Sequence, residues 1–524
     1  MRANSKYVIA LAASLALFPV GLDSMIVNVA IVPIGRALHT SVDIVQWIII
    51  GYLLANAAVT PLSGYLGNRF GVKRLFLVGI ALFTLFSFLC GIAADQTWLV
   101  AFRVLQGAGG GLMMPLGAAI ALDQFAAEDR AKGMAAVALP VLLAPVLGPI
   151  LGGVIIDNLS WQAIFFVNVP IGALAILLSW LVVPDDLAKA GKTRKSFDVL
   201  GLSLAMAGVV LVVYAFKLVS QTDPSTRTAL QPAGSVYGWG YWLMWLLLGI
   251  GLALLAAFTL HVLREEDPVV DLRLFRDRNF SLSNLSQWVQ ASTTFGILFL
   301  IPVYLQQIRI PNLSPLQTGL ALLPLGISTI VGMIVSTKLY RIAGVRALVV
   351  AGAGLTALGT LQLSKVSPTA AVSDLWPWLA LVGFSVALLA LPTQTLALQP
   401  LKGEALNKGT SLVVATKLLF GAIGPSVLVT VFEQQTVWHA NRLAVAALAQ
   451  RAGAVSAQAK AMLAAQAGTS ALHDVLIVVT FTSLGIILVG LFLPGRQAAA
   501  EHVAIGQAGT PRGDIQAPAR VTTA

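Results

Sequence analysis

The charged side chains Asp23, Arg103, Lys217 and Lys417 stand inside apolar stretches long enough to cross a membrane. An ionisable group at the bilayer centre costs about 2.5–3.5 kcal/mol on insertion scales, so each needs a reason. Asp23 fits a carboxylate that loads and releases a proton as a cavity changes sides. Its plainer reading is a helix-to-helix hydrogen bond with Asn28 or another neighbour, a task a neutral Asn would perform without the charge. Arg103, permanently charged and bidentate, fits a partner or modulator of that proton site; the alternative is a salt bridge that only orients the fourth span. Lys217, near the end of its span, can snorkel to the interface. Lys417 suits either contact with an anionic substrate or neutralisation of a carboxylate.

A polar stripe adds to these charges. Ser283, Asn284, Ser286, Gln287, Gln290 and Thr294 recur at three- and four-residue intervals, which on a helix makes one polar face, as in a span lining a wet cavity. Interhelical hydrogen bonding in a dry bundle is the alternative. Trp288, Phe295, Phe299 and Tyr304 supply aromatic surface on or near the same helix. The stripe predicts a central cavity lined also by Asp23, Asn28, Gln106, Lys417 and, from the twelfth span, Thr393 and Gln394. There Gln287 and Gln290 would hold a ligand's polar end while its apolar remainder binds loosely. Many polar but few charged groups suit an amphipathic molecule better than a sugar phosphate or nucleotide.

The elements that must position these groups are membrane spans. The 524-residue chain is 57% hydrophobic and only 10% charged, with mean hydropathy +0.86; a soluble domain carries roughly 25% charged residues, so a soluble fold is excluded. The formal charge of +11 comes from basic residues scattered between apolar stretches, which marks topology and provides no nucleic-acid face. One cysteine, Cys90, forbids an intrachain disulfide, and five histidines include no pair at metal-ligand spacing, so no metal or other cofactor is expected. Arg2 and Lys6 precede an apolar run without a cleavage site, which reads as an uncleaved first span. Gly107-Ala108-Gly109-Gly110-Gly111 has neither a preceding strand nor a phosphate-loop Lys; close helix packing explains it, and no enzymatic activity is expected.

Apolar stretches of about 18 to 28 residues predict an all-α integral membrane protein with fourteen transmembrane helices, at about 7–34, 44–66, 75–94, 97–121, 133–156, 161–183, 198–219, 239–263, 280–308, 316–337, 345–364, 375–398, 409–435 and 473–494. An even number leaves both termini on one side. Arg69, Lys73, Arg74, Arg130, Lys132, Lys189, Lys192, Arg194, Lys195, Arg264, Arg273, Arg276, Arg278, Lys338, Arg341, Arg346, Lys402 and Lys408 share that side. The opposite loops hold Arg36, Arg227, Arg309, Lys365, Arg442, Arg451 and Lys460. With the termini added, the bias is roughly three to one and puts both ends in the cytoplasm. The chain divides into an N-terminal six-span bundle (1–183), a linker with two inserted spans (184–279), a C-terminal six-span bundle (280–494) and a disordered cytoplasmic tail (495–524). A basic loop follows the second span of each bundle, Gly64 to Arg74 and Lys338 to Arg346. Such pseudo-symmetry is expected of a secondary transporter with its site between the halves. The alanine-rich loop from about Thr436 to Leu472 predicts one or two short surface helices.

The run Ala144-Pro145-Val146-Leu147-Gly148-Pro149-Ile150-Leu151-Gly152-Gly153 places Gly and Pro where water is absent, so its backbone must be covered by a closely packed neighbour. This run resembles the antiporter motif in the fifth span of major facilitator superfamily exporters. Leu22-Asp23-Ser24-Met25-Ile26-Val27-Asn28-Val29-Ala30 is similar to the first-span signature of the superfamily's fourteen-span drug/proton antiporter family. Gly64, Asn68, Arg69, Gly71, Lys73 and Arg74 fall in the superfamily's cytoplasmic signature loop, Arg103-Val104-Leu105-Gln106-Gly107 in its fourth-span motif, and Trp161 with Phe166-Val167-Asn168-Val169-Pro170-Ile171-Gly172 in the start of its sixth span. The resemblance departs from the family pattern at Asn68, usually acidic, at Ala144, usually Gly, and at Lys417, often Arg. It implies proton-coupled export of small amphipathic compounds by a multi-pass protein of the plasma (inner) membrane, with Asp23 and Arg103 coupling protons. Pro145, Gly148, Pro149, Gly152 and Gly153 would form the switch that closes one face as the bundles rock. A periplasmic adaptor is a further partner if the host is Gram-negative. Export of one dedicated metabolite, lipid or siderophore, and a non-transporting sensor on the same fold, are the rival readings.

Overall fold

Within a bilayer each backbone N–H and C=O must find its partner inside the protein, and the chain meets that demand almost entirely with α-helices. A computed structural model describes residues 3–40, 42–124, 130–185, 198–223, 235–265, 268, 270–401, 403–449 and 457–495. The first bundle comprises α1 (Ala3–Ala37), α2 (Val42–Val59), α3 (Leu62–Phe70), α4 (Val72–Gly91), α5 (Gln96–Asp123), α6 (Arg130–Asn158), α7 (Ala163–Phe166) and α8 (Asn168–Val182). An inserted pair follows: α9 (Val199–Ser220) and, after the two-residue antiparallel strands β1 (Thr222–Asp223) and β2 (Ser235–Val236), α10 (Trp242–Arg264). The second bundle comprises α11 (Arg278–Val303), α12 (Pro315–Ala321), α13 (Leu323–Leu363), α14 (Val372–Leu398), α15 (Gly403–Ala449) and α16 (Ala457–Leu491). Among the described residues twelve segments are long and apolar enough to cross a membrane, and α2 with α3 forms a thirteenth. The 29-residue α6 adds a shorter apolar helix, Leu143–Asn158. The fold is the expected all-α membrane architecture.

Two boundaries differ from the sequence reading. The second span is bent by 54° between α2 and α3. Pro61 sits at the break and has no N–H for the carbonyl of Ala57, while Thr60 and Ser63 turn their hydroxyls onto the carbonyls of Asn56 and Thr60 at 2.8 and 2.7 Å. The loop from Thr436 to Leu472 does not form separate surface helices. α15 runs on to Ala449 and α16 already starts at Ala457, because alanine is the strongest helix former, no Pro interrupts either flank in its described part, and the single glycine there, Gly468, packs against Ile308. The expected tail from 496 onward and most of the linker (186–197) lie outside the described residues.

The pseudo-symmetry extends to backbone detail. Each basic loop turns on a glycine with positive φ, Gly71 at +93° and Gly344 at +75°, a conformation that a Cβ disfavours. Each is followed by Val and a base. Lys73 Nζ lies 2.9 Å from Asp185 just beyond α8, and Arg346 Nε donates to the carbonyl of Leu493 just beyond α16 at 2.8 Å. The start of each bundle's third span is thus fastened to the end of its sixth. Asn68, Arg69 and Arg74 of the first loop are exposed. Arg69 donates to the Tyr65 hydroxyl at 3.1 Å, and no side chain closes on Gly64.

The bundles meet at the end opposite these loops. Pro33 in α1 has no N–H, so the carbonyl of Val29 is left without its helical donor. Gln306, in the π-helical turn Tyr304–Ile308 that ends the α11 span, donates its Nε2 to that carbonyl at 3.0 Å, and Arg36 donates back to the carbonyl of Gln306 at 3.0 Å. Asp157 at the end of α6 accepts from the Ser314 hydroxyl at 2.7 Å and the Leu316 N–H at 3.0 Å, holding the N-terminus of α12.

Candidate functional site

Asp23 lies in α1 between Pro19 and Pro33 and is fully buried, as is Arg103 in α5. Arg103 Nη1 donates to Asp23 Oδ2 at 2.5 Å and to Gln106 Oε1 at 2.9 Å. Gln106, one turn further along α5, donates its Nε2 to Asp23 Oδ1 at 3.2 Å. Asn168, the first residue of α8, donates to the same oxygen at 3.1 Å and to the Ser87 hydroxyl at 3.1 Å, which in turn donates to the carbonyl of Phe165. Arg103 Nε is taken by the carbonyl of Ile48, and the guanidinium lies 4.3 Å over the Tyr52 ring. Five helices of one bundle therefore converge on one carboxylate, and α7 adds a carbonyl. The pair is neutral as a unit, which makes it tolerable in a low-dielectric interior. Protonating Asp23 would remove the charge that Arg103 answers and turn an acceptor into a donor, so the arrangement has two distinct states.

Several expected positions differ. Gln106 was assigned to the substrate cavity, but a side-chain amide one turn from Arg103 reaches both members of the pair and belongs to the charge cluster. Asn28 does not reach Asp23; it donates to the carbonyl of Ser24 in its own helix at 2.9 Å. The hydrogen-bond partners of Asp23 all come from its own bundle, and none is a residue of the α11 stripe. Part of the stripe follows the dry alternative instead. Gln290 Nε2 bonds the carbonyl of Val386 in α14 at 2.7 Å, Ser286 bonds back to Leu282, and Thr393 bonds back to Leu389. A helix carbonyl keeps a second lone pair, and in a low-dielectric bundle the nearest one captures a hydroxyl or amide. Ser283 Oγ, Asn284 Oδ1 and Gln287 Nε2 keep no partner. Thr294, Gln394 and Lys417 are partly buried.

The Gly/Pro run packs on both sides. A Cβ on Gly148 would stand 2.5 Å from Met25 Cβ and one on Gly152 2.7 Å from Ile26 Cγ1, both in α1. On the other side Gly153 meets the backbone of Leu316, and Gly319 and Gly326 meet the carbonyls of Pro149 and Pro145. The run is the surface on which α6 closes against both bundles. Gly107 and Gly111 let α5 approach the backbone of α2 at Tyr52 and Asn56, which accounts for the glycine cluster as packing.

Asn168, Gln306 and Asp157 were not singled out as site residues from the sequence. The signal for Asn168 was its place in the sixth-span motif, and the signal for Gln306 was Pro33, which guarantees a free carbonyl one turn earlier. Asp157 had no comparable signal.

Residues 13–425 match the Major Facilitator Superfamily. The chain belongs to that superfamily. It is 32% identical to the multidrug resistance protein B homolog of Mycobacterium tuberculosis H37Rv over 475 residues, covering 87% of this chain and 84% of that one. It is 31% identical to the fatty acid resistance protein FarB of Neisseria gonorrhoeae, covering 83% and 82%, and 29% identical to the multidrug export protein EmrB of Escherichia coli K12 with the same coverage. These relatives place it in the superfamily's fourteen-span drug/proton antiporter group. Among solved structures it resembles a bacterial homologue of the lysosomal transporter Spinster in an inward-facing, unoccupied conformation, with TM-score 0.60, 15% identity and coverage of 94% and 98%. The nucleoside transporter NupG gives TM-score 0.60 at 9% identity, covering 93% and 99%. The protein is a multi-pass membrane transporter of the major facilitator type and not an enzyme.

Proposed function

We propose that this transporter exports small amphipathic molecules in exchange for protons by alternating access. The observation that carries the reading is the buried Asp23–Arg103 pair, held by Gln106 and Asn168. A proton arriving at Asp23 would free Arg103 and loosen α1 from α5 and α8, and α1 also carries the Val29 carbonyl on which the closed end depends. With the basic loops on the cytoplasmic side, both termini lie in the cytoplasm of a plasma (inner) membrane. The closed end then faces outward, and the conformation is open inward. In a Gram-negative host a periplasmic adaptor would meet this closed end. The relatives named for multidrug export and fatty acid resistance support an exporter of apolar bodies with a polar head.

The proton drive suffices energetically, since one charge across 100 mV supplies about 2.3 kcal/mol before any pH gradient. In proteoliposomes with an imposed pH gradient, Asp23→Asn is expected to abolish gradient-driven substrate movement while the purified protein still unfolds cooperatively, at a midpoint lowered by the stranded Arg103. Transport at the wild-type rate in this variant would remove Asp23 from the coupling mechanism. An accumulation screen of cells with and without the protein, across dyes, antibiotics, fatty acids and siderophores, separates broad efflux from a single metabolite.

A further inference from the structure

Among the described residues Lys417 in α15 has no counter-ion: it has neither a hydrogen-bond nor an ion-pair partner there. The described acidic side chains of the second bundle are placed elsewhere: Asp374 caps the start of α14, Asp474 pairs with His439, and Glu433 is more than four turns further along α15. Lys417 lies nine residues past Lys408, where this membrane segment begins, or about 13 Å into it. A lone ammonium at that depth is costly, and the first bundle's pair, already neutral, offers no relief.

The neighbouring helix supplies what such a charge would share with a ligand. α11 and α15 climb together: Trp288 stacks on Phe420 with ring centroids 4.6 Å apart, Ser292 donates to the carbonyl of Phe420 at 2.9 Å and backs onto Gly424, and Gly296 meets Leu428. One turn before Phe420, Lys417 is therefore level with the segment Asn284–Trp288. In and beside that segment four buried polar atoms have no partner: Ser283 Oγ, Asn284 Oδ1, Gln287 Nε2 and Trp288 Nε1. Two are donors only, one is a hydroxyl, and the fourth is an acceptor to which a lysine can donate. Unsatisfied buried donors beside a cation are what an anionic oxygen group relieves, with charge-assisted hydrogen bonds. Apolar surface adjoins them, from the stacked Trp288 and Phe420 and from Phe295 against Gly421.

We propose that Lys417, Gln287 and Trp288 form a receptor for the anionic head of an amphipathic substrate, so that the exported molecules are amphipathic carboxylates in preference to amines. The proposal rests on the reading of the chain as an exporter, but its test is a binding measurement that needs neither a gradient nor Asp23.

The protein in nanodiscs of zwitterionic lipid, with empty nanodiscs as blank, is titrated with three probes of one apolar body: dodecanoate, dodecanamide and dodecylamine. Dodecanoate is expected to bind about tenfold or more tighter than the amide, and the amine weakest. Lys417→Gln should erase the acid-over-amide preference, and Lys417→Arg should keep it. Equal binding of acid and amide by the wild type overturns the proposal and needs no variant that must fold; so does an unchanged preference in a folded Lys417→Gln protein. Repeating the titration with phosphatidylglycerol in the nanodisc distinguishes the source of the anion. If the anionic lipid abolishes dodecanoate binding, the receptor serves a lipid headgroup and the substrate assignment falls. Lys417-dependent carboxylate binding without gradient-driven transport would instead fail the exporter reading and leave the receptor standing.

Discussion

Asp23 accepts from three side chains, and only Arg103 among them carries charge. Removing one member of a buried pair strands the other, at a cost of about 3–5 kcal/mol, whereas removing both charges together is far milder. Arg103→Ala should therefore lower the thermal unfolding midpoint of the purified protein strongly, and Asp23→Asn in the same chain should restore most of that loss. A double variant no more stable than Arg103→Ala alone would show that the two side chains are not energetically coupled. Neither protein is expected to transport. Asp23 and Arg103 were legible in the sequence because a charge in an apolar span demands a partner. Their companions were not, since Gln106 and Asn168 are ordinary polar residues until α5 and α8 bring them to one oxygen.

At the scale of elements, the closed end depends on a proline and on a carboxylate. Pro33 frees the carbonyl of Val29, and Gln306 of the other bundle answers it; Asp157 holds the N-terminus of α12 across the same seam. Gln306→Leu removes the donor and leaves a buried carbonyl unmatched, a loss of about 1–3 kcal/mol that falls only on the closed state. The closed population should drop by about tenfold relative to the open one, read as a longer distance between spin labels at Leu159 and Asn312, exposed sites on the two bundles beside this seam. The native Cys90 is buried and will not compete for label. No change in the distance distribution would mean the hydrogen bond contributes nothing to closure. Gly153→Leu acts at the same surface, since its side chain would enter the backbone of Leu316. It should prevent closure and stop transport while α6 itself stays folded.

Across the whole molecule, two bundles of like construction are joined by α9 and α10 and by the seam just described. Ser426 and Thr430 of α15 donate to the carbonyls of Val213 and Phe216 in α9, tying the inserted pair to the second bundle. The label pair at Leu159 and Asn312 should lengthen when substrate and a proton gradient are supplied together, while a control pair within one bundle stays unchanged. If both pairs shift alike, the bundles deform internally and the rocking description fails.

The sequence by itself determined the solvent, the order of spans and their number to within one or two, the two basic loops, the Gly/Pro run and the few buried charges. Each of these follows from local composition: twenty apolar residues need a bilayer, a charge among them needs a partner, and a proline in a helix leaves a carbonyl to be covered. Tertiary structure alone decided which atoms meet. It assigned Gln106 to the charge cluster and took Gln290 and Thr393 into the bundle's own hydrogen bonds. It turned the alanine-rich loop into extensions of α15 and α16, and among the described residues it left Lys417 without a counter-ion, level with unmatched donors of α11. The reason is that hydrogen-bond partners in a membrane protein are chosen by which free carbonyl or donor is nearest after the helices pack, and that distance is not a property of any one segment.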